Sequence, residues 1–310
     1  MKRGLVAFCF PGQGSLEVGM GRDIAAAVPE AMDVFERSSI AAGLDLKRLC
    51  FEASEEELVE TEVQQPALVA TSLAVLAALR ARGIKPDFVI GHSVGEFAAL
   101  AAAGALKVEE AVALVRERGL AMAEAARTNP GSMAAILGLD DEVVERICRR
   151  ILNVWPANYN CPGQIVVSGE TLAVDEACAT AEEEGARRAV KLRVSGAFHS
   201  PLVARAADRL RPALERVRFV EPTAPFMSTV TARIESAKRM GPLLVEQLTA
   251  PVRFTQAAQA LIKEGAHTFV EVGPGNVLGG LVKRIDRSVK TVSVSTPEEI
   301  DKLEETLASA

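Results

Sequence analysis

Short, unbroken apolar runs alternate along the chain with longer stretches whose apolar positions recur at helical spacing. Leu5 to Phe10 is apolar throughout and closes on Pro11-Gly12-Gln13-Gly14-Ser15, the pattern of a buried strand entering a turn. Phe88-Val89-Ile90 and Thr268 to Val272 read as strands of the same kind. Helical stretches fill the space between them, one running from about Pro66 to Arg82. After Phe88-Val89-Ile90, a stripe of Val94, Phe97, Ala98 and Ala101 marks a second helix, and Ala111, Leu114, Val115 and Met122 mark a third from about Val108 to Ala126. Strands alternating with helices in this way predict a mainly parallel sheet in an α/β domain.

A different order begins at Asn129-Pro130-Gly131. Strand Met133 to Leu139, helix Asp141 to Ile151, a strand near Val154, strand Ile165 to Ser168, helix Leu172 to Glu184 and strand Ala189 to Val194 follow one another. The order βαββαβ is that of a ferredoxin-like unit. It predicts a small subdomain, 130–194, inserted into a larger domain made of 1–129 and 195–310. Helices Pro201 to Val217, Phe254 to Glu264 and Val277 to Ile285 belong to the larger part. A chain of 310 residues exceeds the ~100–200 usual for one domain, as such an insertion requires.

Composition narrows the function classes. Hydrophobic residues at 49% and charged residues at 25% are those of a globular protein. A net charge of −6 argues against a general nucleic-acid binder, whose affinity rests on Lys and Arg neutralising phosphates. No membrane span is expected: the apolar stretch from Ala67 stops at Arg80 and the one from Phe97 stops at Lys107, short of the ~20 residues needed. Met1-Lys2-Arg3 passes almost directly into the first strand, with no leader pattern, so a cytoplasmic location is expected. Cys9, Cys50, Cys148, Cys161 and Cys178 are odd in number and scattered. They read as reduced, structural thiols, with no metal-ligand spacing.

The candidate chemistry starts at Gly91-His92-Ser93-Val94-Gly95. A G-x-S-x-G sequence joining a strand to a helix makes a sharp turn that projects the serine hydroxyl, with small residues on either side. Ser93 then sits at a helix N-terminus, where the N–H of Val94 can stabilise an oxyanion. Among three histidines, His92 would have to fold back on its own turn, and His267 opens a strand. His199, in Ser195-Gly196-Ala197-Phe198-His199-Ser200-Pro201, precedes a helix that Ser200 can cap and Pro201 can start. That position disfavours an imidazolium and leaves a ring able to accept a proton. Arg118 lies on the interior stripe of its helix, where a buried guanidinium requires either a protein carboxylate or an anionic ligand; spacing alone leaves both open. Pro11-Gly12-Gln13-Gly14-Ser15 lacks the Lys-Ser/Thr ending of a phosphate loop and serves either as an oxyanion loop or as a plain turn. Glu271-Val272-Gly273-Pro274-Gly275-Asn276 is a further strand-to-helix turn, structural or part of a site.

Six ordered motifs resemble the malonyl-CoA:acyl carrier protein transacylases: Phe10-Pro11-Gly12-Gln13-Gly14-Ser15, the Ser93 turn, Glu117-Arg118-Gly119, Asn158-Tyr159-Asn160, Gly196-Ala197-Phe198-His199 and Glu271-Val272-Gly273-Pro274-Gly275. The resemblance implies an α/β-hydrolase-like large domain with a ferredoxin-like insertion. It implies that Ser93 carries the acyl group, that His199 is its base, and that Gln13 and Val94 supply oxyanion N–H groups. It further implies that Arg118 binds the free malonyl carboxylate, that Asn160 belongs to the substrate site, and that a carbonyl oxygen of Gln247 orients the histidine in place of a triad acid. Phe198 is similar to the malonyl-selective form of its motif, where methylmalonyl-selective relatives usually carry serine. Leu16 departs from the glutamine usual in the family. No bound cofactor is expected, coenzyme A entering as the substrate thioester, and the expected partners are malonyl-CoA and holo acyl carrier protein. Basic residues Lys283, Arg284 and Arg287, or Arg187, Arg188 and Lys191, offer docking patches for an acidic carrier or simply solvated faces. A free-standing polyketide acyltransferase, a serine thioesterase or esterase, and a carrier-binding scaffold are the competing readings.

Overall fold

In the computed structural model, which describes residues 4–308, Leu5–Phe10 is buried because it lies inside a parallel sheet with helices packed over it. Met1-Lys2-Arg3 lies outside the described residues. The strands are β1 (Leu5–Phe10), β2 (Phe88–Gly91), β3 (Ser132–Leu137), β4 (Val154–Cys161), β5 (Gln164–Gly169), β6 (Arg188–Lys191), β7 (Phe226–Ser228), β8 (Arg233–Glu235), β9 (Ala266–Val272) and β10 (Lys290–Val294). Six form one sheet in the order β10-β9-β1-β2-β7-β8, parallel except for β8. Phe10 pairs with Gly91 and Cys9 with both Ile90 and Glu271. The carboxyl ends of β1, β2 and β9 therefore finish side by side, and the loops after them share the rim where open parallel sheets bind ligands.

The other four strands form an antiparallel sheet in the order β4-β5-β3-β6. Along β3 the side chains divide by alternation: Ala134 and Ile136 join Val144, Ile147, Val174 and Ala177 in a core under the sheet's own two helices, Asp141–Arg150 and Thr171–Glu183. Met133, together with Val166 and Ala157 from the neighbouring strands, faces the main core instead. One face of this sheet thus packs on the large sheet's layer, and the space between them is available for a site.

Several elements depart from the expected bounds for identifiable reasons. The helix expected from Pro66 begins five residues earlier, at Thr61, and runs to Ala81. Pro66 removes the N–H that would bond the Glu62 carbonyl, and Arg116 Nη1 takes that carbonyl instead at 2.6 Å. This helix is long and apolar enough to cross a membrane, but 83% of its apolar window is buried within the protein. The expected helix from Pro201 to Val217 is a 3-10 turn, Pro201–Val203, followed by a helix over Ala204–Glu215. β6 ends at Lys191 rather than Val194. Strands β7, β8 and β10 were not foreseen, two of them having only three residues. The five cysteines are all unpaired.

Two close approaches decide the geometry near the first two strands. A Cβ on Gly95 would stand 2.1 Å from the carbonyl oxygen of Phe10, and one on Gly91 would stand 2.2 Å from the backbone N of Glu96. Only glycine at both positions allows the helix after β2 to start this close to β1. Gly95→Ala is accordingly expected to lower stability by about 1–3 kcal/mol or more through overpacking, read as a lower urea midpoint. Gly280→Ala, on an exposed helical position with open space around its Cβ, is expected to raise stability by about 0.4–1 kcal/mol.

Candidate active site

Ser93 follows β2 with φ of 52° and is succeeded at once by the helix Gly95–Ala102. Left-handed backbone at a non-glycine residue is costly and persists where the surroundings enforce it. Here Gly91 and Gly95 leave room for the turn, and its sharpness holds the Ser93 hydroxyl away from its own helix. His199 also has positive φ, 57°, and is followed by Ser200, whose hydroxyl accepts from the Leu202 N–H and donates to the Ala197 carbonyl. Ser200 and Pro201 act as cap and start, as their sequence suggested.

The two strained residues meet. Ser93 Oγ lies 2.8 Å from His199 Nε2. On the other side of the ring, Nδ1 is 2.9 Å from the backbone carbonyl of Gln247 and 3.2 Å from that of Ala250. Carbonyls only accept, so Nδ1 carries the proton and Nε2 is free to take one from the hydroxyl. Gln247, at the end of the helix Ala237–Glu246, thus stands where a carboxylate stands in a full triad. Burial, and next the nearby Arg118 charge, bring the His199 imidazole down from its usual range to about 3. Burial and this neighbouring charge keep the ring neutral.

Arg118 is fully buried on the helix Val108–Thr128. Its Nη2 donates to Ser93 Oγ at 3.0 Å and to Gln247 Oε1 at 3.0 Å, and its Nη1 donates to Gln65 Oε1 at 2.7 Å. Its Nε has no hydrogen-bond partner, and among the described residues no carboxylate reaches ion-pair distance. Of the two partners left open by the sequence, the protein carboxylate is therefore absent from direct contact. Desolvation lowers the guanidinium to about 9, opposed by the charge of Glu96.

The Gln13 loop packs directly on this turn. A Cβ on Gly12 would lie 2.8 Å from the His92 carbonyl oxygen and 3.1 Å from its Nδ1. Neither the Gln13 N–H nor the Val94 N–H has a hydrogen-bond partner among the described residues, which leaves both donors available. The Gln13 side chain bonds Gln64 and Gln65, and Gln64 returns a bond to the Gln13 carbonyl. Leu16, half-buried, packs on the main core at the same rim. His92 does not approach Ser93 Oγ as a base; its Nε2 is paired with Asn160 Oδ1 at 2.9 Å, and burial lowers its proton affinity. His267 is exposed on β9. Glu271 accepts the N–H groups of Leu278 and Gly279 at the following helix, a structural cap for that turn.

A cavity of about 880 Å³ opens over Ser93 and His199 and is lined by Gln13 from the loop after β1, by Leu281 from the helix Val277–Ile285, and by Asn160 and Val166 from the small sheet. Phe198 also lines it and is otherwise buried. Such a volume suits a ligand of extended, partly apolar form.

The acyl transferase domain family matches residues 7–298. The chain belongs to that family. It is 45% identical over 307 residues to a malonyl CoA-acyl carrier protein transacylase of Bacillus subtilis, covering 97% of each chain. A protein of the same name from Staphylococcus aureus is 40% identical, over 95% of this chain and 96% of its own. Among solved structures, the malonyl CoA-acyl carrier protein transacylase of Coxiella burnetii superposes with a TM-score of 0.96 at 38% identity, covering 98% of both chains. A malonyl-transacylase solved in complex with its type II polyketide acyl carrier protein matches with a TM-score of 0.94 at 38% identity, over 97% of this chain and 99% of its own. The resemblance carried by the six motifs is borne out as family membership.

Three participants escaped the sequence reading: Glu96, Gln65 and Thr229. Glu96 has a visible signal, being the only charged residue in the apolar helix Gly95–Ala102; its pairing with Thr229 across the sheet, at 2.6 Å and 2.8 Å, has none. Of the basic residues considered for docking, Lys191 pairs with Asp175 and Arg284 with Gln164. His199→Ala is expected to slow labelling of Ser93 by a neutral fluorophosphonate by about 10²-fold or more. In the parent protein the folded-state value near 3 lies below the ordinary 6.5, so the imidazole stays neutral as pH falls through 6.5. Labelling is expected to change less than about threefold between pH 8 and 5; a limb centred at 6.5 would contradict the buried neutral ring.

Proposed function

We propose that the chain transfers malonyl from malonyl-CoA to the phosphopantetheine thiol of holo acyl carrier protein, through a malonyl ester on Ser93, in fatty acid biosynthesis. The observation that carries this reading is the Arg118 guanidinium, fully buried, without a carboxylate partner, and 3.0 Å from Ser93 Oγ. A fixed cation beside a nucleophilic hydroxyl selects an acyl group that itself bears a carboxylate.

In the first half-reaction His199 Nε2 takes the Ser93 proton as Oγ bonds the thioester carbonyl carbon. The N–H groups of Gln13 and Val94 receive the developing oxyanion. The C–S bond then breaks and the coenzyme A sulfur leaves with the proton from His199. In the second half-reaction the carrier thiol gives its proton to His199, the sulfur attacks the ester, and Ser93 Oγ leaves reprotonated. Gln247 orients the ring through its carbonyl, and Asn160 and Phe198 shape the acyl site, Phe198 favouring malonyl over a branched acid. The chemistry is covalent and acid–base, with coenzyme A entering as substrate and no bound cofactor in the scheme.

The same reading takes the six-stranded sheet with its helices as an α/β-hydrolase-like domain, 1–129 and 195–310, and 130–194 as a ferredoxin-like insertion. The βαββαβ element order and the order β4-β5-β3-β6 support it. Five free cysteines suit a reducing cytoplasm. A free-standing polyketide acyltransferase is the second reading, favoured by the likeness to the transacylase bound to a type II polyketide carrier.

Mass spectrometry after exposure to competing malonyl-, methylmalonyl- and acetyl-CoA is expected to find malonyl on Ser93, and addition of holo carrier protein to discharge it onto the carrier thiol. Rapid release of free malonate without carrier loading would identify a thioesterase instead. Arg118→Ala is expected to lower malonyl kcat/KM by about 10²-fold, consistent with losing a charge-assisted contact, with a smaller loss for acetyl-CoA. Undiminished malonyl preference in that variant would overturn the role of Arg118.

A further inference from the structure

We infer that Glu96 is a positioning residue for the acyl-carboxylate site: as a carboxylate it fixes the Gln247 side chain so that Gln247 Oε1 holds Arg118 against Ser93, and it supplies a counter-charge to Arg118 at one remove. The inference rests on Arg118 as the grip for the substrate's carboxylate.

Glu96 is fully buried and meets donors alone. Its Oε1 accepts the Thr229 N–H at 2.6 Å and the Thr229 hydroxyl at 2.8 Å, and its Oε2 accepts Gln247 Nε2 at 2.5 Å. With the Thr229 hydroxyl as a donor, an ionised carboxylate satisfies all three, since it accepts at both oxygens. With Nε2 committed to Glu96 and to the Ser93 carbonyl at 3.0 Å, Gln247 Oε1 is turned toward Arg118 Nη2. A proton on Glu96 Oε2, or the amide of a glutamine there, would set donor against donor. Relief requires the Gln247 amide to turn over, which drives its NH₂ at the guanidinium and abandons the Ser93 carbonyl. One carboxylate therefore sets the direction of a chain running from Glu96 through Gln247 and Arg118 to Ser93 Oγ. The backbone of the same Gln247 holds His199 at the other side of Ser93.

This ordering depends on pH. Burial raises the Glu96 carboxyl to about 7, against the opposing effects of Thr229, Gln247 and Arg118. The ionised form, and with it the ordered chain, is present above that pH and lost as pH falls through it. The charged and titratable groups nearby are Arg118 from the helix Val108–Thr128, with His199, neutral, and His92, whose proton affinity burial lowers, around Ser93. Arg80, from the helix Thr61–Ala81, binds the carbonyls of Ala101 and Ala102 at the opposite end of the Glu96 helix. Thr229 and Gln247 do not titrate.

The test compares malonyl-CoA kcat/KM with the rate at which a neutral fluorophosphonate labels Ser93, taking their ratio from pH 5.5 to 8.5 in the full chain. In the parent protein the ratio is expected to fall about tenfold as pH drops from 8 to 6, and in Glu96→Gln to be about tenfold or more lower at pH 8 and flat. Thr229→Val, which removes one donor from the carboxylate, is expected to move the parent limb to higher pH by roughly half to one unit, giving a readout even where Glu96→Gln does not fold. A Glu96→Gln ratio within twofold of the parent, the same limb persisting in that variant, or a limb unmoved by Thr229→Val would each overturn the inference. Absence of any malonyl-Ser93 in the parent protein would overturn the functional reading, and this inference with it.

Discussion

A guanidinium withdrawn from water without an ion pair in contact is the constraint around which this site is arranged. The desolvation cost of such a charge is several kcal/mol in order of magnitude. Arg118 meets it with neutral acceptors, Gln65 and Gln247, with the Ser93 hydroxyl, and with the Glu96 charge beyond Gln247. The buried Nε is left without a hydrogen bond among the described residues. After burial, that cation is the next influence disfavouring an imidazolium at His199, so the charge proposed to receive an anionic acyl group also helps to keep the neighbouring ring unprotonated.

Holding these groups in register falls to backbone that is itself strained. Ser93 and His199 both lie in the left-handed region, and each is pinned by a neighbour that tolerates no substitution of shape. Gly91 and Gly95 admit the turn at Ser93. On the other side Gly196, whose Cβ would stand 2.6 Å from the Ala126 Cβ, seats the His199 loop against the helix that carries Arg118. The close packing of that helix on the one beginning at Thr61 depends on Gly119, where a Cβ would come within 2.8 Å of the Glu62 Cα. Gln64 and Gln65 follow directly, reaching Gln13 and Arg118. Close packing of two alanine-rich helices at Gly119 thus positions the Gln13 loop and the arginine together.

Local patterns made much of this legible. The strand–turn–helix context of Ser93, the cap and start at Ser200-Pro201, and the interior stripe bearing Arg118 are properties of neighbouring residues, and each is found where the pattern put it. What could not be read were relations across the chain. The partners of Glu96 lie 133 and 151 residues away, and no spacing rule joins them. The early start of the helix at Thr61 depends on Arg116 satisfying a carbonyl that Pro66 orphans, again a tertiary answer to a local conflict. The short strands exist because β2 offers an edge to β7 and β7 in turn offers one to β8, not because three residues declare a strand.

The same constraint accounts for the missing triad acid. A carboxylate on His199 Nδ1 would favour the imidazolium and would place a negative charge close to the proposed docking point of an anionic acyl group. Two backbone carbonyls, from Gln247 and Ala250, fix the ring and its tautomer with dipoles alone. The one carboxylate in the network, Glu96, is kept on the far side of the Gln247 amide, where it steadies the arginine without paired contact. Orientation by carbonyls and counter-charge at one remove are therefore a single solution: a serine beside a neutral imidazole and a buried, half-satisfied cation, the arrangement that the proposed transfer of an acyl group bearing its own negative charge would use.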